Sequence, residues 1–92
     1  MSGKSRIKIN IFGKVTRVGF RQAVKEFAIE RGITGWVTNT PEGDVVINAE
    51  GKKLDIKGLI DFCKKGPESA KIERCEAYYQ RYRDEFTRFE IR

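Results

Sequence analysis

The sequence predicts an α+β sandwich built as one domain. Two observations carry that prediction. The spacing of apolar residues switches between a period of two and a period of 3.6, in the order β-α-β-β-α-β with a short strand after it. The chain has 92 residues and no linker, internal repeat or low-complexity stretch, so a single core serves every element.

Residues 1–5 read as a flexible N-terminus to this single domain of residues 1–92. Ile7, Ile9 and Ile11 alternate with Lys8 and Asn10, the pattern of a strand with one buried face. Gly13 and Gly19 bracket a short loop. Phe20, Val24, Phe27 and Ala28 then share one stripe of a helix, and Gly32 stands where its C-terminal cap is expected. A second strand follows over about residues 35–40, and Thr40-Pro41-Glu42-Gly43 turns it into a third, in which Val45, Ile47 and Ala49 alternate. Ile56, Leu59, Ile60 and Cys63 mark a second helix that closes near Gly66-Pro67. The fourth strand covers about residues 71–79. Its apolar positions Ile72 and Cys75 are out of phase, so either a bulge or a displaced strand boundary is expected there. Residues 80–85 read as a charged loop, and Phe89 and Ile91 as a last short strand. The expected architecture is a ferredoxin-like split β-α-β sandwich, with two helices on one face of an antiparallel sheet.

Composition removes several chemistries. There is no histidine, hence no Ser-His or Cys-His triad and none of the commonest metal ligand. Cys63 and Cys75 cannot make a zinc site alone and are expected as reduced thiols; no metal and no cofactor are expected. No apolar run reaches the roughly 18 residues of a membrane span and no signal-peptide pattern opens the chain, so a cytoplasmic protein with no membrane partner is expected. The net charge of +6 is concentrated: Lys4, Arg6, Lys8, Lys14, Arg17, Arg21 and Lys25 lie in residues 1–25 without one Asp or Glu. The other 67 residues hold 12 cations and 13 anions. A local positive field of this kind favours an anionic ligand.

The field centres on the loop Gly13-Lys14-Val15-Thr16-Arg17-Val18-Gly19-Phe20-Arg21, which joins a strand to a helix N-terminus. Unpaired N–H groups and the partial positive charge of a helix start make such a junction an anion site. Arg21 can bind two phosphate oxygens at once and stays charged at any working pH. Topology places the end of the second strand, near Asn39, on the same edge of the domain. An asparagine amide can hold a water in a fixed orientation. An anion cradle, an arginine and a held water suit phosphoryl transfer from a substrate whose leaving group needs no base or metal, such as an acyl phosphate.

At these residues the chain resembles the acylphosphatase family. Gly13-Lys14-Val15 with Val18-Gly19-Phe20-Arg21 resembles the signature Gly-x-Val-Gln-Gly-Val-x-Phe-Arg. Gly35-Trp36-Val37-Thr38-Asn39-Thr40, followed by Gly43 and Val45, resembles the second block. The resemblance covers nearly the whole chain. It implies a cofactor-free, monomeric hydrolase that splits small acyl phosphates into carboxylate and inorganic phosphate. By that resemblance Arg21 binds the phosphate, Asn39 orients the water, and Thr40 supports Asn39. The backbone amides of Val15, Thr16, Arg17, Val18, Gly19 and Phe20 complete the cradle. Thr16 and Arg17 stand where the family has Gln and Gly, which leaves a catalytically impaired phosphate-binding module as an alternative. RNA binding is the lesser alternative. An RNA-recognition domain shares this element order, but it stacks bases on aromatics of its first and third strands. Here those strands read Ile7-Lys8-Ile9-Asn10-Ile11 and Val45-Val46-Ile47-Asn48-Ala49, so no nucleic-acid partner is expected.

Overall fold

The computed structural model describes residues 3–15, 19–66 and 70–92. Seven elements follow one another: β1 (Lys4–Lys14), α1 (Phe20–Glu30), β2 (Thr34–Asn39), β3 (Val45–Lys52), α2 (Lys53–Lys65), β4 (Lys71–Gln80) and β5 (Phe89–Ile91). They form one five-stranded sheet in the order β4-β1-β3-β2-β5.

Alternation in the strands decides what the helices cover. Ile7, Ile9 and Ile11 of β1 and Val45, Ile47 and Ala49 of β3 are fully buried. Val24 and Ala28 of α1 and Ile56, Leu59 and Cys63 of α2 close over them from one side. Phe27 and Phe62 stack at 4.8 Å between ring centres and join the two helices. The C-terminus of α1 is closed by Gly32 in a left-handed conformation, φ 68°. Its N–H donates to the Ile29 carbonyl at 3.2 Å and that of Ile33 to the Ala28 carbonyl at 2.9 Å, so orphan carbonyls of the last turn are satisfied.

Four strands pair antiparallel, as expected. The fifth makes the sheet mixed: β5 runs parallel to β2, with Gly35 opposite Phe89 and Val37 opposite Ile91. The reason lies in the path. β4 and β2 occupy different sides of the sheet, so residues 81–88 cross its end and deliver β5 beside the start of β2. The first strand also begins inside the stretch expected to be flexible, since Lys4 and Ser5 pair with Lys52 and Gly51. The expected bulge is present. Phe12 faces Arg74 and Gly13 faces Ile72, which leaves Glu73 unopposed. Gly13 adopts φ 138°, and a Cβ there would lie 2.1 Å from the Lys71 carbonyl oxygen. Only glycine allows that approach. The expected helix end at Pro67 lies outside the described residues, but α2 reaches Lys65 and the Gly66 N–H donates to the Phe62 carbonyl at 2.7 Å.

The crossing segment is held by a buried carboxylate. Glu50 of β3 is 2% exposed and accepts the N–H groups of Arg83 and Glu85, both at 2.8 Å. It also accepts Arg6 Nη1 at 3.3 Å. Arg6 in turn donates to Glu85 at 2.9 Å and to Gln80 at 3.2 Å, and lies over the Phe86 ring. Burial pushes the Glu50 carboxyl up, but the Arg83 and Glu85 N–H donors together with Arg6 outweigh it, so the group ends below its ordinary value.

Candidate active site

Strand register brings the two predicted blocks to one edge. Val45 at the start of β3 pairs with Ile11 of β1 on one side and with Asn39 of β2 on the other. β2 therefore ends level with Ile11, two strand spacings or roughly 10 Å away, and β1 runs on beside β4 to Lys14 at the same edge. β1 leads from there into the N-terminus of α1.

That helix start is left open by the described residues. Gly19 is the N-cap, in a left-handed conformation at φ 72°, and contributes no side-chain cap. The first turn contains no acidic residue. The Gly19 carbonyl accepts the first intrahelical bond, from the Ala23 N–H at 2.9 Å. The N–H groups at the start of α1 accordingly point into the edge without intrahelical acceptors. Phe20 and Val15 are each 1% exposed, and anchor both ends of the loop in the core. Anchoring fixes where the half-buried Arg21 emerges. Among the described residues Arg21 has no hydrogen-bond, ion-pair or ring partner, and it lines a cavity of about 240 Å³ with Val15, Gly19, Phe20, Gln22 and Ile91. A half-buried guanidinium that faces a cavity and has no counter-ion among the described residues can hold an anion.

Asn39 ends β2 and is also half-buried. Its Nδ2 donates to the Asp44 carbonyl at 3.4 Å. That contact turns the other end of the amide, Oδ1, away from the turn, and Oδ1 has no protein partner among the described residues. Thr40 acts through the same residue. Its N–H donates to the Asp44 carbonyl at 2.9 Å, its Oγ1 accepts the Asp44 N–H at 3.1 Å, and its carbonyl accepts the Gly43 N–H at 3.0 Å. Thr40 thus closes the turn on which the Asn39 contact depends. Thr16, Arg17 and Val18, three of the expected cradle residues, lie outside the described residues.

Three participants have no clear signal in the sequence. Asp44 positions Asn39 through its backbone carbonyl, which any residue would supply. Gln22 follows Arg21 on the first helical turn but carried no motif. Ile91 arrives from β5, and only the parallel pairing with β2 brings it to this edge. The Arg92 N–H donates to the Val37 carbonyl at 2.8 Å, and the Arg92 carbonyl accepts Thr38 Oγ1 at 2.8 Å, which pins that strand. Among the described residues no three His, Cys, Asp or Glu side chains gather as metal ligands. No described helix is long and apolar enough to cross a membrane.

Comparison with known proteins shows the family. The sequence profile of the family described as Acylphosphatase matches residues 7–91. An acylphosphatase of Marinobacter nauticus is 40% identical over 85 residues, which is 92% of each chain. Among solved structures, an acylphosphatase from Coxiella burnetii superposes with a TM-score of 0.90 at 30% identity, covering 97% of this chain and 93% of that one. One from Bacillus subtilis gives 0.89 at 31% identity, covering 95% and 97%.

Proposed function

The chain belongs to the acylphosphatase family, and on that premise we propose that it hydrolyses the carboxyl–phosphate bond of small acyl phosphates with Arg21 and Asn39 as its working side chains. The observation that supports this reading is Arg21, without a partner among the described residues, lining a cavity at the start of α1, together with Asn39 held by the Asp44 carbonyl at the end of β2.

Arg21 and the first N–H groups of α1 neutralise the phosphoryl oxygens, which removes the repulsion that an incoming water meets. Asn39 Nδ2 is committed to Asp44, so Oδ1 accepts a hydrogen from that water and aims its lone pair at phosphorus. The P–O bond to the acyl group breaks as the new P–O bond forms. The leaving group departs as a carboxylate of pKa about 4, a weak base that needs no general acid. The water's proton passes to solvent or to the product phosphate. This chemistry asks for charge and position, which agrees with a chain that has no histidine.

The reading includes a metal-free monomer. Hydrolysis of benzoyl phosphate should persist in EDTA, with specific activity independent of protein concentration. Arg21→Gln should lower kcat/KM by about 10²–10³ or more, and Asn39→Ala should lower kcat by a similar factor. Competitive inhibition by inorganic phosphate should disappear in the first variant and survive in the second. Activity that survives Arg21→Gln would overturn the assignment, and loss of phosphate inhibition in Asn39→Ala would remove the water-holding role.

A further inference from the structure

We propose that the uncovered face of the sheet is a stacking platform for single-stranded nucleic acid. The residues that alternate with the core positions point away from the helices. Four of them fall in one row across the sheet. Lys8 of β1 pairs with Tyr78 of β4 and with Asn48 of β3, and Asn48 pairs with Trp36 of β2. Two aromatic side chains thus stand three strand spacings apart, roughly 14 Å, with a lysine and an amide between them. Phe12 lies four residues beyond Lys8 on β1, and Asn10 lies between. The expectation of no nucleic-acid partner rested on a first strand read only to Ile11; β1 continues to Lys14 and adds Phe12 to this face.

The groups between the rings decide what fits. Lys8 and Asn10, both half-buried, and Asn48, 9% exposed, make no side-chain hydrogen bond or ion pair among the described residues. The core of a protein–protein interface is depleted in lysine, because burying it unpaired is costly. A nucleotide strand meets all three needs: bases for the rings, donors and acceptors for the amides, and a phosphate for Lys8. The charge agrees. Arg74 lies 4.2 Å over Phe12 and pairs with Glu76 at 3.1 Å, and Arg92 lies 5.4 Å over Trp36 and pairs with Glu90 at 3.5 Å, so at these two rings a base meets a guanidinium plane. With Lys8 and Arg88 they make four cations against Glu76 and Glu90, a net of +2 on this half of the face; Arg88 pairs with Glu90 at 2.6 Å, and Lys8 is the cation of the four without an ion pair among the described residues. The other half is closed by residues 81–88 over Arg6. The span from Trp36 to Tyr78 by that from Lys8 to Phe12, roughly 14 by 13 Å, matches two or three stacked bases. A duplex keeps its bases inside and cannot use the rings.

The test is fluorescence anisotropy of labelled 12-nucleotide RNA, the matching DNA and their duplex, at about 50 mM salt. Either single strand should bind with a Kd in the micromolar range, and the duplex about tenfold or more weakly; the RNA–DNA ratio then tells whether the 2′-hydroxyl is read. Tyr78 is 50% exposed, so Tyr78→Ala should fold normally. It should weaken single-strand binding about tenfold while acyl-phosphate hydrolysis stays unchanged. Lys8→Glu should weaken it further and flatten the salt dependence. No binding, equal affinity for duplex, or equal affinity in wild type and Tyr78→Ala would each overturn the proposal. So would a stable protein complex on this face without nucleic-acid affinity. None of these outcomes bears on the hydrolase reading, which involves other residues.

Discussion

Replacing Glu50 by Gln changes one atom's chemistry and should cost about 3 kcal/mol. In the native protein one carboxylate oxygen accepts the Arg83 N–H at 2.8 Å and Arg6 Nη1 at 3.3 Å, and the other accepts the Glu85 N–H at 2.8 Å. A carboxamide has one acceptor end. Whichever way it turns, its NH₂ faces at least one buried N–H, an unsatisfied contact of about 1–3 kcal/mol. The charge opposite Arg6 is lost as well, and removing one partner of a buried pair costs about 3–5 kcal/mol in measured cases. A domain of this length has about 5–14 kcal/mol in total. The melting temperature should therefore fall by about 12–24 °C. Urea unfolding followed by the fluorescence of Trp36, the sole tryptophan, measures it. The pH dependence has a definite sign. The folded carboxyl titrates below the unfolded one, so its contribution is present above the ordinary carboxylate range and is lost as pH falls through the lowered folded value. Wild type should lose stability below roughly pH 4 more steeply than Glu50→Gln. Replacing both Arg6 and Glu50 by Leu should give no rescue, because the Arg83 and Glu85 N–H groups would still lack an acceptor. A variant within about 1 kcal/mol of wild type at pH 7, or parallel acid slopes, would refute the reasoning.

Two further outcomes concern the fold. Gly35 adopts φ 142°, and a Cβ there would lie 2.0 Å from the Asn48 carbonyl oxygen. Gly35→Ala should therefore lose about 3 kcal/mol or more, with β2 pushed off β3, as read by urea unfolding. Burial raises the thiols of Cys63, well above its ordinary value, and of Cys75. An aromatic disulfide reagent at pH 8 should label the half-buried Cys75 first and Cys63 only as fast as the chain opens, which mass spectrometry of timed samples would show.

The layout was legible where burial is one-sided. Ile7-Ile9-Ile11 and Ile56-Leu59-Ile60-Cys63 each obey one period because one helix face or sheet face meets the core. The candidate site stood out for a different reason: Arg21 and Asn39 belong to short blocks at fixed spacing, and antiparallel register sets Asn39 level with Ile11 of β1, the strand that leads on to the α1 start carrying Arg21. Long-range packing stayed hidden. Arg6 and Glu50 sit at outward strand positions, where water is the default neighbour, and nothing in their local sequence says that residues 81–88 will fold over them. The direction of β5 depends on that same crossing, so an antiparallel sheet was the natural expectation from alternation at Phe89 and Ile91.

The central place of β1 has a consequence in time. Of the strands in this sheet it is the first made, yet both of its neighbours come late: Ile11 waits for Val45, and Lys14 for Lys71, 57 positions on. At synthesis rates of about 5–20 residues per second, the interval to the second partner lasts roughly 3–11 s. Throughout it Ile7, Ile9 and Ile11 form an apolar ribbon with at least one unpaired edge. The cations that alternate with them on the other face, Lys4, Arg6 and Lys8, keep that ribbon soluble and repel a second copy of itself until β4 arrives. The lysine–arginine excess at the start of the chain thus protects the nascent protein before it has any site to serve.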